Sequence, residues 1–164
     1  MLNVLKTIAA ISTASGAGGI GVIRVSGPLA LKIGQKVSGA NLKPRVANFH
    51  SFKDLNGSLI DQGLVLFFPG PNSFTGDDTI EFQCHGGTVV TQSLLNLCLK
   101  LDAVLAEPGE FSKRAFLNNK IDLAQAESIA DLINASTEEA ALSAVNSLSG
   151  KFSLEINNLL KYLI

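Results

Sequence analysis

The chain changes its hydrophobic rhythm several times, and each rhythm predicts a different kind of element. Residues 6–12 and the stretch IGVIRVS at 20–26 read as two strands, and the SGAGG between them supplies the dihedral freedom of a hairpin or tight crossover. Gly27-Pro28 opens a helix, because proline suits a first turn, and Leu29, Ile33 and Val37 recur at a spacing of four as its buried stripe until Gly39. Asn56-Gly57 marks a turn between two strands, and GLVLFFPGP at 63–71 reads as a short buried strand stopped by prolines. From Thr79 to Cys84 the period is two: Ile80, Phe82 and Cys84 take one face, and Thr79, Glu81 and Gln83 take the other. His85-Gly86-Gly87 then turns the chain into an apolar helix, VVTQSLLNLCLKL, with the His85 ring packing or bonding locally. Strands and helices without regular alternation predict an α+β fold rather than a doubly wound sheet.

After about residue 120 the pattern becomes purely helical. Asp122 to Ala135 carries Leu123, Ala126, Ala130 and Ile133 on one face, and Ser136 with Glu139 forms a capping box for a second helix. That helix shows Ala141, Val145, Leu148, Phe152, Ile156, Leu159 and Leu163 at alternating spacings of three and four, a stripe that wants another helix beside it. The apolar end at Tyr162-Leu163-Ile164 suggests that the chain stops inside a larger protein. The expected division is residues 1–118 as one domain and 119–164 as the start of a helical one.

Composition narrows the function classes. At 46% apolar and 16% charged, the chain lies far from disorder, and some of its apolar surface is expected to face a partner. Thirteen basic against fourteen acidic residues give no footprint for gripping nucleic-acid phosphates. No apolar run of bilayer length occurs, and the small residues of the N-terminal segment serve better as an edge of the fold than as a signal peptide. Cys84 and Cys98 have neither disulfide-framework nor metal-quartet spacing, which points to a reducing cytoplasm, and the two histidines offer no zinc pattern.

Gly16, Gly18 and Gly21 satisfy the spacing of a dinucleotide fingerprint, but Ile20, Val22 and Val25 predict a strand where that motif needs a helix N-terminus. No GxxxxGK[ST] phosphate loop is present, so GTP hydrolysis by this segment is not expected. Arg24 shares a strand face with Ile20 and Val22, where a guanidinium needs either an internal carboxylate or a bound anion. Glu81 sits mid-strand just before a Gly-Gly turn that allows a ligand to approach, although a polar strand face can equally be wet. Glu107-Pro108-Gly109-Glu110 has the form of a helix start.

Read together, GAGGIGVIRVSG (16–27), FPGPNSFTGDD (68–78), IEFQCHGG (80–87), EPGEFSKRAFLNNKIDLAQAESIADLI (107–133) and ALSAVNSLSG (141–150) resemble, in order, the N-terminal region of the MnmE (TrmE) family of tRNA modification GTPases. The resemblance implies a mixed-sheet tetrahydrofolate-binding domain similar to that of the glycine-cleavage T-protein, followed by helices of a central domain. It implies homodimerisation and a 5-formyl- or 5,10-methylene-tetrahydrofolate held by Arg24, Glu81 and Lys120, with no catalytic residue and no metal site in this segment. In the family, GTP, Mg2+ and K+ belong to a GTPase domain absent here. A flavoprotein partner, MnmG, cooperates in installing an aminomethyl-type group on the wobble uridine of tRNA. The competing expectation is a purely structural dimerisation module whose folate pocket is vestigial.

Overall fold

The computed structural model describes residues 6–163. Over these residues the chain forms two compact units, 6–108 and 109–163. By packing, the helix that begins at Glu110 groups with the helices after it rather than with the sheet before it, whereas the expected division left it in the first domain, residues 1–118.

The first unit is a mixed six-stranded sheet with two helices, so the α+β expectation holds. Strands β1 (Ile8–Ile11) and β2 (Gly18–Ser26) pair antiparallel, which makes the glycine-rich link a hairpin loop. Helix α1 (Ala30–Ser38) follows, then β3 (Asn48–Lys53), β4 (Leu59–Phe68), β5 (Thr79–Gly86), helix α2 (Thr88–Lys100) and the short β6 (Val104–Leu105). The order across the sheet is β3-β4-β5-β2-β1-β6, with β1 and β6 parallel and the other neighbouring strands antiparallel among the described residues. β4 starts earlier than the apolar run at 63–71 implies, because its first residues pair with β3 across the Asn56-Gly57 turn.

Both helices cover one face of this sheet. Ile33 and Val37 of α1 and Leu94, Leu97 and Cys98 of α2 pack with Ile23, Val25, Val65, Phe67, Ile80 and Phe82 in a single apolar cluster. Phe52 and Phe82, both fully buried, meet edge to face at 5.4 Å between ring centroids. The period of two from Thr79 to Cys84 is thus realised, with Ile80, Phe82 and Cys84 turned into the core. His85 is a correction: it belongs to β5 rather than to a turn, and its side-chain partner is Asp61 on β4, not a local group.

The opposite face carries Val22, Arg24, Leu64, Leu66, Glu81 and Gln83. One end of it is roofed by the 69–78 loop, where Thr75 is fully buried and hydrogen-bonds Ser26 at 2.7 Å, which in turn bonds Thr79 at 3.1 Å. The strand face expected to be either wet or ligand-bound is therefore dry at Thr79 and opens only farther along.

The second unit consists of α3 (Glu110–Leu117), α4 (Leu123–Asn134), α5 (Glu138–Leu148) and α6 (Lys151–Leu163). Asp122 caps α4 in a full capping box with Gln125. The cap of α5 is Thr137, which accepts from the Ala140 amide, and not Ser136. The long second helix is also a correction: it breaks at Ser149-Gly150, where Gly150 adopts φ 83, a left-handed conformation that ends α5. The expected stripes lie largely outward: Leu123, Ile133, Val145, Phe152 and Leu159 are exposed, whereas Ser128 and Ala144 are the buried residues of α4 and α5. Ile164 and the Leu163 side chain, at the end of that stripe, lie outside the described residues. No helix among the described residues is long and apolar enough to cross a membrane.

Candidate functional site

The sheet register builds the site. Arg24 on β2 stands directly opposite Glu81 on β5, two residues more than fifty positions apart in sequence brought level by antiparallel pairing. Arg24 Nε donates to Glu81 Oε1 at 2.8 Å, and Arg24 Nη2 lies 2.7 Å from the same oxygen. The two side chains remain 29% and 18% exposed, so the pair sits in the sheet surface and is reachable from it. Phe74, from the loop that roofs one end of the face, brings its ring centroid to 5.6 Å from the Arg24 guanidinium. Arg24 has an internal carboxylate as a partner, one of the two kinds its position called for, and the face it shares with Ile20 and Val22 is not the core: Ile20 is 66% exposed.

A pair this accessible contributes about 0.2–1 kcal/mol to stability. Its stronger consequence is orientation, because each partner holds the other in one rotamer on an otherwise apolar strand surface formed by Val22, Leu64 and Leu66. Beside it on the same face, Gln83 adds a half-buried amide.

Lys120 belongs to the second unit. It is exposed, in the turn after α3, where its amide donates to the Ala115 carbonyl at 2.8 Å. Of the three residues that the resemblance assigns to folate, the fold thus makes Arg24 and Glu81 neighbours, and Lys120 belongs to the helical unit.

Sequence reasoning missed two elements. Phe74 gave no periodic signal because it lies in an irregular loop. Asp61 also escaped notice: its Oδ2 accepts the His85 amide at 2.7 Å, and its Oδ1 lies 2.8 Å from His85 Nδ1. Burial would raise the Asp61 pKa, but the bonds from the His85 amide and ring outweigh it and hold the carboxyl below its ordinary value. The arrangement fixes the His85 ring, which is otherwise 74% exposed.

The cysteines are inert by environment. Burial pushes the Cys84 thiol up to about 11 and the Cys98 thiol to about 12, so neither offers a thiolate near neutrality. Among the described residues no group of three or more His, Cys, Asp or Glu could hold a metal ion. The glycine run at 16–21 continues into β2, as the β-branched residues after it require, so it presents no helix of its own to a phosphate.

Comparison with known proteins agrees with this architecture. The family described as GTP-binding protein TrmE N-terminus matches residues 7–120. The chain is similar to the tRNA modification GTPase MnmE of Pseudomonas putida, 56% identical over 164 residues, which is 100% of this chain and 36% of the relative. It is likewise similar to the proteins of that name from Pseudomonas paraeruginosa, 59% identical over 159 residues (97% of this chain, 35% of the relative), and Pseudomonas syringae pv. syringae, 57% identical over 159 residues with the same shares. The chain spans about a third of the length of the curated relatives it matches.

Proposed function

Because the chain belongs to the TrmE N-terminal family, we propose that it is the folate-binding and homodimer-forming portion of a tRNA modification GTPase. In this reading Arg24, Glu81 and Lys120 hold a 5-formyl- or 5,10-methylene-tetrahydrofolate. The observation that supports it most is the Arg24–Glu81 pair, fixed in an accessible sheet face beside the Phe74 ring.

The donor set suits the ligand. A reduced pterin presents adjacent N–H donors, and Glu81, held through its Oε1 by Arg24, answers them as a carboxylate. The apolar surface of Val22, Leu64 and Leu66 and the Phe74 ring suit the flat pterin and aryl parts. Lys120 and Arg24 are the cations available to the carboxylates of the folate tail. When bound, the folate supplies the one-carbon unit; this chain's residues bind and orient it.

In the whole protein, the proposed reaction is installation of an aminomethyl or carboxymethylaminomethyl group at C5 of the tRNA wobble uridine, together with the flavoprotein MnmG, in the cytoplasm. GTP, Mg2+ and K+ would be bound by a GTPase domain outside these residues, so this segment by itself is proposed not to hydrolyse GTP. The second reading is a structural dimerisation module with a vestigial pocket. One observation favours it: the Arg24 and Glu81 charges already neutralise each other without a ligand.

Calorimetry with 5-formyltetrahydrofolate separates the two. The folate reading expects saturable binding that weakens about 10- to 100-fold in Glu81→Ala, the loss of one or two charge-assisted hydrogen bonds. Equal affinity in wild type and variant sinks the assignment, whereas a dimer by light scattering with no folate heat supports the structural reading. A monomer at micromolar concentration contradicts both.

A further inference from the structure

The helix-covered side of the first unit carries a second hollow, remote from the Arg24–Glu81 face. It has a volume of about 530 Å³ and lies between α1 and the C-terminal end of α2. Its floor is apolar, formed by Leu29, Ile33 and Leu101, and its rim carries Lys32, Lys36 and Lys100. Asp102 is the one acidic residue among the lining residues.

Three features of this rim are not explained by the fold alone. The chain as a whole is nearly balanced, with 13 basic and 14 acidic residues, so three lysines around one hollow are a local excess of positive charge. Among the described residues, no ion pair to a carboxylate involves any of the three. Lys32 and Lys36 are four apart on α1, a like-charge spacing that repels along a helix face and gains only when an anion is placed between them. Lys36 and Lys100 each lie in a last helical turn, where the dipole favours a cation, but Lys32 does not.

We infer that this groove docks an acidic amphipathic helix of a partner protein. Such a helix seats an apolar side chain on Leu29, Ile33 and Leu101, and its flanking carboxylates answer Lys32, Lys36 and Lys100. The apolar floor decides between anionic partners. A nucleic-acid backbone needs the cations but gains nothing from a leucine-isoleucine floor, whereas an amphipathic helix with carboxylates beside its apolar stripe uses both. The long lysine stems can lie along the seated helix while their ammonium groups stay at the rim.

The experiment uses the intact chain and a fluorescein-labelled peptide of about 18 residues, with leucine at helical i, i+3, i+4 and i+7 positions and glutamate beside them. Fluorescence anisotropy is expected to show saturable binding that weakens with added salt and falls at least about tenfold in Lys32→Glu/Lys36→Glu. The same loss is expected for a peptide whose leucines are replaced by serine. Circular dichroism confirms that the doubly substituted chain is folded, and its affinity for 5-formyltetrahydrofolate is expected to match wild type, which keeps failure here distinct from failure of the folate reading. The inference is overturned by absence of saturable binding, by equal binding of the serine peptide, or by an RNA duplex that binds more tightly and depends on the same lysines.

Discussion

Replacing Gly63 with alanine tests how closely β4 and β5 approach beside the candidate site. An ideal Cβ at Gly63 would stand 1.9 Å from the Gln83 carbonyl oxygen and 3.1 Å from a ring carbon of Phe52. Ordinary contact begins near 3.4 Å, so the strands would have to part by about 1.5 Å at a point where the obstacle is backbone and cannot rotate away. A ladder hydrogen bond stretched that far lies beyond bonding distance. Loss of about two such bonds at about 0.5–1.5 kcal/mol each, together with about 1–3 kcal/mol for overpacking beside Phe52, gives a destabilisation of about 2–6 kcal/mol. Domains of this kind have about 5–15 kcal/mol in all. Urea unfolding followed by circular dichroism should therefore show the midpoint falling by about 1 M or more at an m-value near 2 kcal/mol/M. Gly57→Ala is the control: it meets nothing within 4 Å but sits at φ +84, so only about 1–2 kcal/mol of conformational strain is expected. Because Glu81 lies two residues from Gln83 on the same strand, folate affinity should weaken with the Gly63 change but not with the Gly57 change. A Gly63→Ala midpoint equal to wild type would refute the close approach and, with it, the register that places Glu81.

Two other outcomes are expected. Cys98 is fully buried, and burial pushes its thiol up to about 12, so at pH 8 it should resist maleimide until urea is added; rapid native labelling contradicts its placement in the core. Since the folded value is raised, the stability tied to the protonated thiol is complete below pH 9.0 and is lost as pH climbs toward about 12. Asp122→Ala should destabilise the helical unit by about 1 kcal/mol in thermal melts, whereas Asp122→Asn should retain most of the cap. The Asp122 carboxyl is held below its ordinary value by the Ser153 hydroxyl and the Gln125 amide, so this contribution is present above the ordinary carboxylate range and disappears on acidification; a wild-type profile unchanged by Asp122→Ala speaks against the cap.

Local rules carried the elements a long way. The hairpin glycines, the Ile33–Val37 stripe, the Asn56-Gly57 turn and the inward set Ile80, Phe82 and Cys84 all rest on interactions between near neighbours, and periodicity and turn chemistry report those directly. A helix start at Gly27-Pro28 is too early, because Pro28 lies in the turn before α1 and Leu29 is its N-cap rather than the first residue of the stripe. The motif segments likewise carried the family resemblance, because they are strings of residues and need no coordinates. Pairing across the sheet is a different matter. That Arg24 faces Glu81, that Asp61 rather than a local group holds His85, and that Phe74 reaches the guanidinium depend on register and loop path, which bring together residues distant in the chain. The helical end fails for a related reason: a stripe states that a face is apolar, but not what covers it, and a single glycine at 150 outweighed the continuous heptad-like spacing by allowing a left-handed turn. The pairing of Lys32 and Lys36 with Lys100 around one hollow was equally invisible along the chain, since only the packing of two helices on a common sheet face makes neighbours of their ends.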